Sequence, residues 1–119
     1  MTVLVAVPEG REGPQAIFAG AAEARLLDTD LVVLNLTLHA IDVSGLPEDL
    51  KVTLLERSGP EDRDPAEAVL DEIADRPDVQ RLVIGMRRRS PVGKAILGSV
   101  AQRLLLDSPV PVLAVKAQD

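Results

Sequence analysis

Five short apolar runs punctuate this chain: Val3 to Val7, Leu31 to Leu36, Val52 to Leu55, Leu82 to Ile84, and Val110 to Val115. Most are continuous rather than alternating, and no other feature constrains the fold as much. Successive side chains of a strand point to opposite faces, so a strand with one wet face alternates apolar and polar residues. A strand covered on both faces has no reason to alternate. Unbroken Val, Leu and Ile therefore predict parallel strands buried between two layers. Helical patterns separate the runs, which is the arrangement of an open α/β sheet with helices on both faces.

The helices are readable from their ends. Asp64 is placed to cap a helix, with Pro65 at its first position and Glu67 where a capping box would close. Val69, Leu70, Ile73 and Ala74 form its apolar stripe. A first helix is expected from Pro14 to Leu27, with Ile17, Gly20, Ala21 and Ala24 as a small-residue face that can lie close to the sheet. A last helix is expected from Ser99 to Asp107, stopped by Pro109. Between the second and third strands, His39 to Leu50 contains Ser44, Gly45, Pro47, Glu48 and Asp49, which break any helical period. That crossover is expected to be a loop or a short turn, with Leu46 and Leu50 as a partial lid over a thinly covered face. Arg57 to Asp64 reads as a surface loop. The 119 residues make one domain, residues 1–119.

Composition narrows the functions. Phe18 is the sole aromatic residue, so the core is aliphatic and no stacking platform for single-stranded nucleic acid is available. Lys and Arg number 13 against 19 Asp and Glu, a formal charge of −6 that repels nucleic acid and anionic membranes. Without cysteine there are no disulfides, thiolate metal sites or cysteine nucleophiles. The first residues run straight into a strand, and no apolar run approaches the ~20 residues that span a bilayer. A soluble cytoplasmic protein is expected, with neither nucleic acid nor membrane as partner.

Chemistry concentrates in the last third, where Gly85, Arg87, Arg88, Arg89, Gly93, Lys94, Gly98 and Ser99 lie between two apolar strands. A glycine lets backbone approach a ligand, a cationic loop follows, and the N–H groups opening the next helix favour an anion. Ligands of open parallel sheets settle outside the carboxyl ends of the strands, where neighbouring crossovers diverge. Here that point lies between the first and fourth strands, lined by Val7 to Gly10, Asn35 to Thr37, and Gly85 onward.

Val83 to Val115 resembles the signature region of the universal stress protein family: a glycine, another three residues on, nine residues, then a glycine followed by Ser or Thr. Gly85, Gly98 and Ser99 hold the outer positions. The tail Asp107 to Val115 also matches, and the order of strands and helices extends the likeness over nearly the whole chain. The resemblance implies a single open five-stranded parallel sheet in the order 3-2-1-4-5. It also implies a site for ATP or another adenine nucleotide, with or without magnesium, and a homodimer paired through Val110 to Val115. In that frame Ala6, Pro8 and Leu36 face base and ribose, Ile84 and Gly85 the nucleoside, and Gly98, Ser99 and Val100 the phosphates. Three departures stand out. Arg88 replaces the middle glycine, Pro8 replaces the acidic residue that commonly ends the first strand, with Glu9 beside it as a substitute, and the link after the second strand is short. Arg88, Arg89 and Lys94 are electrostatic candidates for phosphate that the family pattern does not assign; an arginine fork grips phosphate oxygens bidentately.

Plainer readings stand beside these. Gly85 reads equally as a strand-exit turn, Arg87 to Arg89 as a solvated run, and Ser99 as a helix N-cap stabilising by ~1 kcal/mol. His39 is a lone histidine without a catalytic or metal role, and Glu61, Asp62 and Asp64 cap and solvate. No nucleophile stands with its base, and no Walker lysine is present. The expected function is a stress-related regulatory protein that binds a nucleotide without turning it over. A slow hydrolase would need Glu9 near the phosphates, and the alternative is a ligand-free dimeric interaction module of the same fold.

Overall fold

Neighbouring side chains of the first strand part company into two separate cores. In the computed structural model, which describes residues 1–10, 12–56, 64–88, 95–96 and 98–116, β1 (Thr2–Val7) is buried along its whole length. Leu4 and Ala6 join one apolar cluster; Val3, Val5 and Val7 join another. β2 (Asp30–Asn35) sends Val32 and Leu34 to the first and Leu31 and Val33 to the second, and β4 (Val79–Arg88) divides Leu82 and Ile84 from Val83. Both faces of each central strand are apolar because both are covered.

The remaining elements are α1 (Glu12–Leu26), β3 (Val52–Glu56), α2 (Pro65–Asp75), β5 (Ala95–Ile96), α3 (Ser99–Asp107) and β6 (Val112–Lys116). The parallel strands run in the order β3-β2-β1-β4-β6, which is the expected 3-2-1-4-5 order counted over parallel strands alone. The added β5 lies antiparallel to the far end of β4, Arg87 opposite Ile96 and Arg88 opposite Ala95. This corrects one reading of Gly85. It is not a strand exit, since β4 continues to Arg88 and Gly85 sits opposite Val115 within the sheet.

α1 packs Ala16, Ile17, Ala21 and Ala24 against one face. A Cβ on Gly20 would stand 3.1 Å from the Val5 Cβ, so the missing side chain is what lets the helix come this close. α1 begins at Glu12 rather than Pro14, and the extra residues bring an acidic side chain into its first turn. α2 and α3 cover the other face. Asp64 caps α2, its carboxylate accepting the Ala66 N–H at 2.9 Å. Arg103 of α3 reaches back to Asp64 at 2.5 Å and Glu67 at 3.7 Å, and along its own helix to Asp107 at 3.5 Å. These half-exposed pairs contribute little energy each, and their effect is mainly to orient the two helices.

Residues 36–51 connect β2 to β3 across the α1 face without a helix, as the broken period required. Leu46 is buried in that face at 8% exposure, with Ile41, Val43 and Leu50 packed beside it. Of the loop expected from Arg57 to Asp64, residues 57–63 lie outside the described residues. Among those described, no helix is long and apolar enough to cross a membrane.

Candidate functional site

β1 leads into α1 on one face of the sheet, while the chain leaving β4 reaches α3 on the other. Neighbouring strands with diverging connections leave room at their carboxyl ends. Two cavities open there, one on each face, and Pro8 lines both.

The cavity on the α2/α3 face holds about 260 Å³. Ala6, Pro8 and Leu36 enter from β1 and β2, Ile84 and Gly85 from β4, and Gly98, Ser99 and Val100 from the start of α3. Eight residues named from sequence thus converge. Ala101, Leu104 and Glu12 complete the wall. Glu9 is not part of it: its carboxylate turns to the opposite cavity, where Oε1 accepts the Leu38 N–H at 3.0 Å and lies 4.0 Å from His39 Nε2. Glu9 therefore does not stand in for a carboxylate at the tip of the first strand. Arg88 forms the last residue of β4. Arg89 and Lys94 lie outside the described residues.

Two glycines at this site exist for different reasons. A Cβ on Gly85 would fall 2.9 Å from the Glu12 Cβ and 3.0 Å from its backbone oxygen, so the first turn of α1 needs this residue bare. Gly98 has no such neighbour: nothing lies within 4 Å of its Cβ position, and its φ of −70° is open to any residue. No protein contact among the described residues accounts for glycine there.

α3 opens without a side-chain cap. Gly98 is the N-cap and offers no side-chain bond, and the first helical bond runs from the Gln102 N–H to the Gly98 carbonyl at 2.9 Å. Ser99 is therefore not the cap but the first helical residue. The N–H groups of that turn and the helix dipole favour negative charge. Glu12 also lines this cavity, 5% exposed in the first turn of α1. Sequence reasoning missed it by starting the helix late, although an acid just before Gly-Pro matches the preference of helix starts for negative charge.

Around the carboxyl ends of the strands, Asn35 organises the backbone. It is 1% exposed. Its Nδ2 donates to the His39 carbonyl at 2.7 Å and to Glu56 at 2.9 Å, and its Oδ1 accepts the Thr37 N–H and hydroxyl at 2.9 and 2.7 Å. Every donor and lone-pair direction of the amide is used, which is what a buried Asn requires. Among the described residues, no group of three or more His, Asp or Glu is arranged to hold a metal.

The family model for the universal stress protein family matches residues 56–116. A universal stress protein from Mycolicibacterium smegmatis is 45% identical over 115 residues, covering 87% of this chain and 88% of its own. Among solved structures, the universal stress protein of Archaeoglobus fulgidus superposes with a TM-score of 0.71 at 25% identity, over 98% of both chains. The universal stress protein from Archaeoglobus fulgidus in complex with dAMP superposes with a TM-score of 0.64 at 21% identity, again over 98% of both chains.

Proposed function

We propose, from the premise that this chain belongs to the universal stress protein family, that it binds ATP or another adenine nucleotide in the 260 Å³ cavity. One observation carries the reading: apolar strand ends and the uncapped amide end of α3 face the same cavity, with open space where Gly98 would carry a side chain. The apolar walls of Ala6, Leu36 and Ile84 suit a base, and the N–H groups at Gly98, Ser99 and Val100 suit phosphate. The dAMP held by a structural relative supports the same ligand class.

Binding rather than turnover is the activity we assign. Glu9, on which a hydrolase reading rested, faces the other cavity. Magnesium, if it accompanies the nucleotide, is then held mainly by the phosphates. We further assign the protein to the cytoplasm as a homodimer paired through Val110 to Val115. β6 pairs only with β4 among the described strands and leaves Leu113 at 37% exposure, so its outer edge has backbone groups available to a second copy.

Calorimetric titration with ATP, with and without magnesium, tests the ligand. Saturable heat in the native protein, weakened in Ser99→Ala and Gly98→Val, is expected; absence of heat at millimolar ATP would leave the dimeric, ligand-free module. That second reading draws on Pro8 and the outward turn of Glu9. Leu113→Lys should yield monomers in sedimentation, and an unchanged sedimentation coefficient would move the interface elsewhere.

A further inference from the structure

The geometry points to a second ligand site on the α1 face: a cavity of about 420 Å³ that takes a small amphipathic cation, an alkyl or aryl ammonium with a short apolar body. It lies on the opposite side of the sheet from the nucleotide cavity and does not rest on that assignment. Its origin is the crossover that lacks a helix. Residues 36–50 arch over the sheet as turns, and turns do not fill the space that a row of helical side chains would.

Two features select the ligand. The walls are apolar: Val7, Ile17 and Leu46 are buried at the base, with Pro14 and Ile41 beside them. Phe18, the sole aromatic of the chain, lines this cavity yet is 58% exposed. An apolar body seated there covers part of that ring, and the ring face attracts a cation within about 6 Å. The charged groups are both acidic. Glu9 and Asp42 line the cavity, and no Lys or Arg does among the described residues.

Both carboxylates are held in place from one side. Glu9 Oε1 accepts the Leu38 N–H at 3.0 Å, and Asp42 Oδ1 accepts the Ser44 N–H at 2.8 Å. A carboxylate offers about four lone-pair directions, so these bonds fix its position and leave acceptor capacity for an ammonium. Bonds from the Ser44 hydroxyl and N–H also hold Asp42 below the usual carboxylate range, keeping it anionic at neutral pH. His39 stands next to Glu9 at 4.0 Å and lines the same cavity. An anionic ligand would meet two carboxylates, and an uncharged one would gain nothing from them.

The test compares hexylammonium, hexanol and hexanoate, three probes with the same apolar body, by methyl NMR of the whole chain. Hexylammonium should shift Ile17, Ile41 and Leu46 saturably, and bind at least about tenfold more tightly than hexanoate, a difference of about 1.4 kcal/mol. In the double variant Glu9→Gln, Asp42→Asn the amide oxygens still accept the Leu38 and Ser44 N–H bonds while the charges are gone. That variant should lose the preference for the cation and keep its affinity for hexanol, which also reports that the cavity is intact. Equal binding of hexylammonium and hexanoate, no saturation with any probe, shifts at Ile84 and Val100 instead, or a double variant that keeps the preference would each overturn the proposal. Saturation by acetyl-Leu-Lys-Leu-amide without any response to hexylammonium would overturn it in favour of a peptide groove.

Discussion

The two faces of the sheet are closed by different means. On one, α2 and α3 lie side by side and satisfy their own backbones; their side chains are left to pack, and Leu104 reaches 1% exposure between them. On the other, α1 covers only part of the sheet, and residues 36–50 close the rest without a hydrogen-bond ladder. There, side chains answer for the backbone: Asn35 serves Thr37 and His39, Glu9 serves Leu38, and Asp42 serves Ser44. Polar residues committed to that work cannot fill a core, and the cavity on this face is accordingly the larger, about 420 against 260 Å³. A crossover without a helix saves residues at the expense of packing.

The sharpest way to break this contrast is to cut a leucine from each face. Leu104→Ala should destabilise the fold by about 3–4 kcal/mol, within the range for a buried leucine whose surroundings cannot collapse. Leu46→Ala, under an irregular segment that can settle, should cost no more than about 2 kcal/mol. Urea unfolding of both variants measures the difference, and equal losses would mean that the loop face is packed as rigidly as the helical one.

A second comparison concerns the two glycines of the cavity on the α2/α3 face. Gly85→Ala drives a methyl into the backbone of Glu12 and should cost about 1–3 kcal/mol, as overpacking does. Gly98→Ala meets no neighbour and should cost no more than about 1 kcal/mol, the preference of a helix N-cap for glycine over alanine, while weakening ATP binding in calorimetry. If Gly98→Ala leaves affinity untouched, the phosphates lie elsewhere. If it unfolds the protein, a contact beyond the described residues explains that glycine.

Legibility in the sequence follows from how local the cause is. The unbroken apolar runs gave away the parallel sheet, since double coverage leaves its mark on each strand separately. Asp64 and Pro65 gave away the start of α2 for the same reason, and the spacing of Gly85 to Ser99 picked out residues that line the cavity on the α2/α3 face. What stayed hidden depends on contacts between distant segments. Gly85 looks the same in sequence whether it ends a strand or makes room for Glu12, and only the approach of α1 decides. Glu9 lies one residue from the strand tip, but the direction its carboxylate takes is set by the Leu38 N–H, 29 residues away. The larger cavity was not foreseen: thin coverage was expected beside the third strand, whereas the cavity lies between α1, the end of β1 and the crossover, and its volume is a property of what two chain segments fail to fill.

The mildest probe of the contrast is acid. Asp42, bonded by the Ser44 hydroxyl and N–H, and Asp49, bonded by and attracted to Arg25, both have carboxyls held below the ordinary value of 3.8, and both belong to the loop-covered face. For a group whose folded value is depressed, the stabilisation is present above the unfolded value and disappears as pH falls through the folded one. The contribution of these two carboxylates should not change between neutral pH and the ordinary carboxylate range. Below 3.8, protonation of Asp42 should release the Ser44 amide, whose ¹⁵N and ¹H shifts would move while those of α2 and α3 backbone amides away from carboxylates stay still. Both carboxylates are solvent-exposed, so the midpoint of thermal unfolding is expected to move far less than the Ser44 resonance. The Asp42→Asn variant should show no such transition at Ser44. A transition that persists in the variant, or that appears simultaneously at Leu104, would mean that the two faces respond to acid as one unit and that the loop-covered face is not the looser of the two.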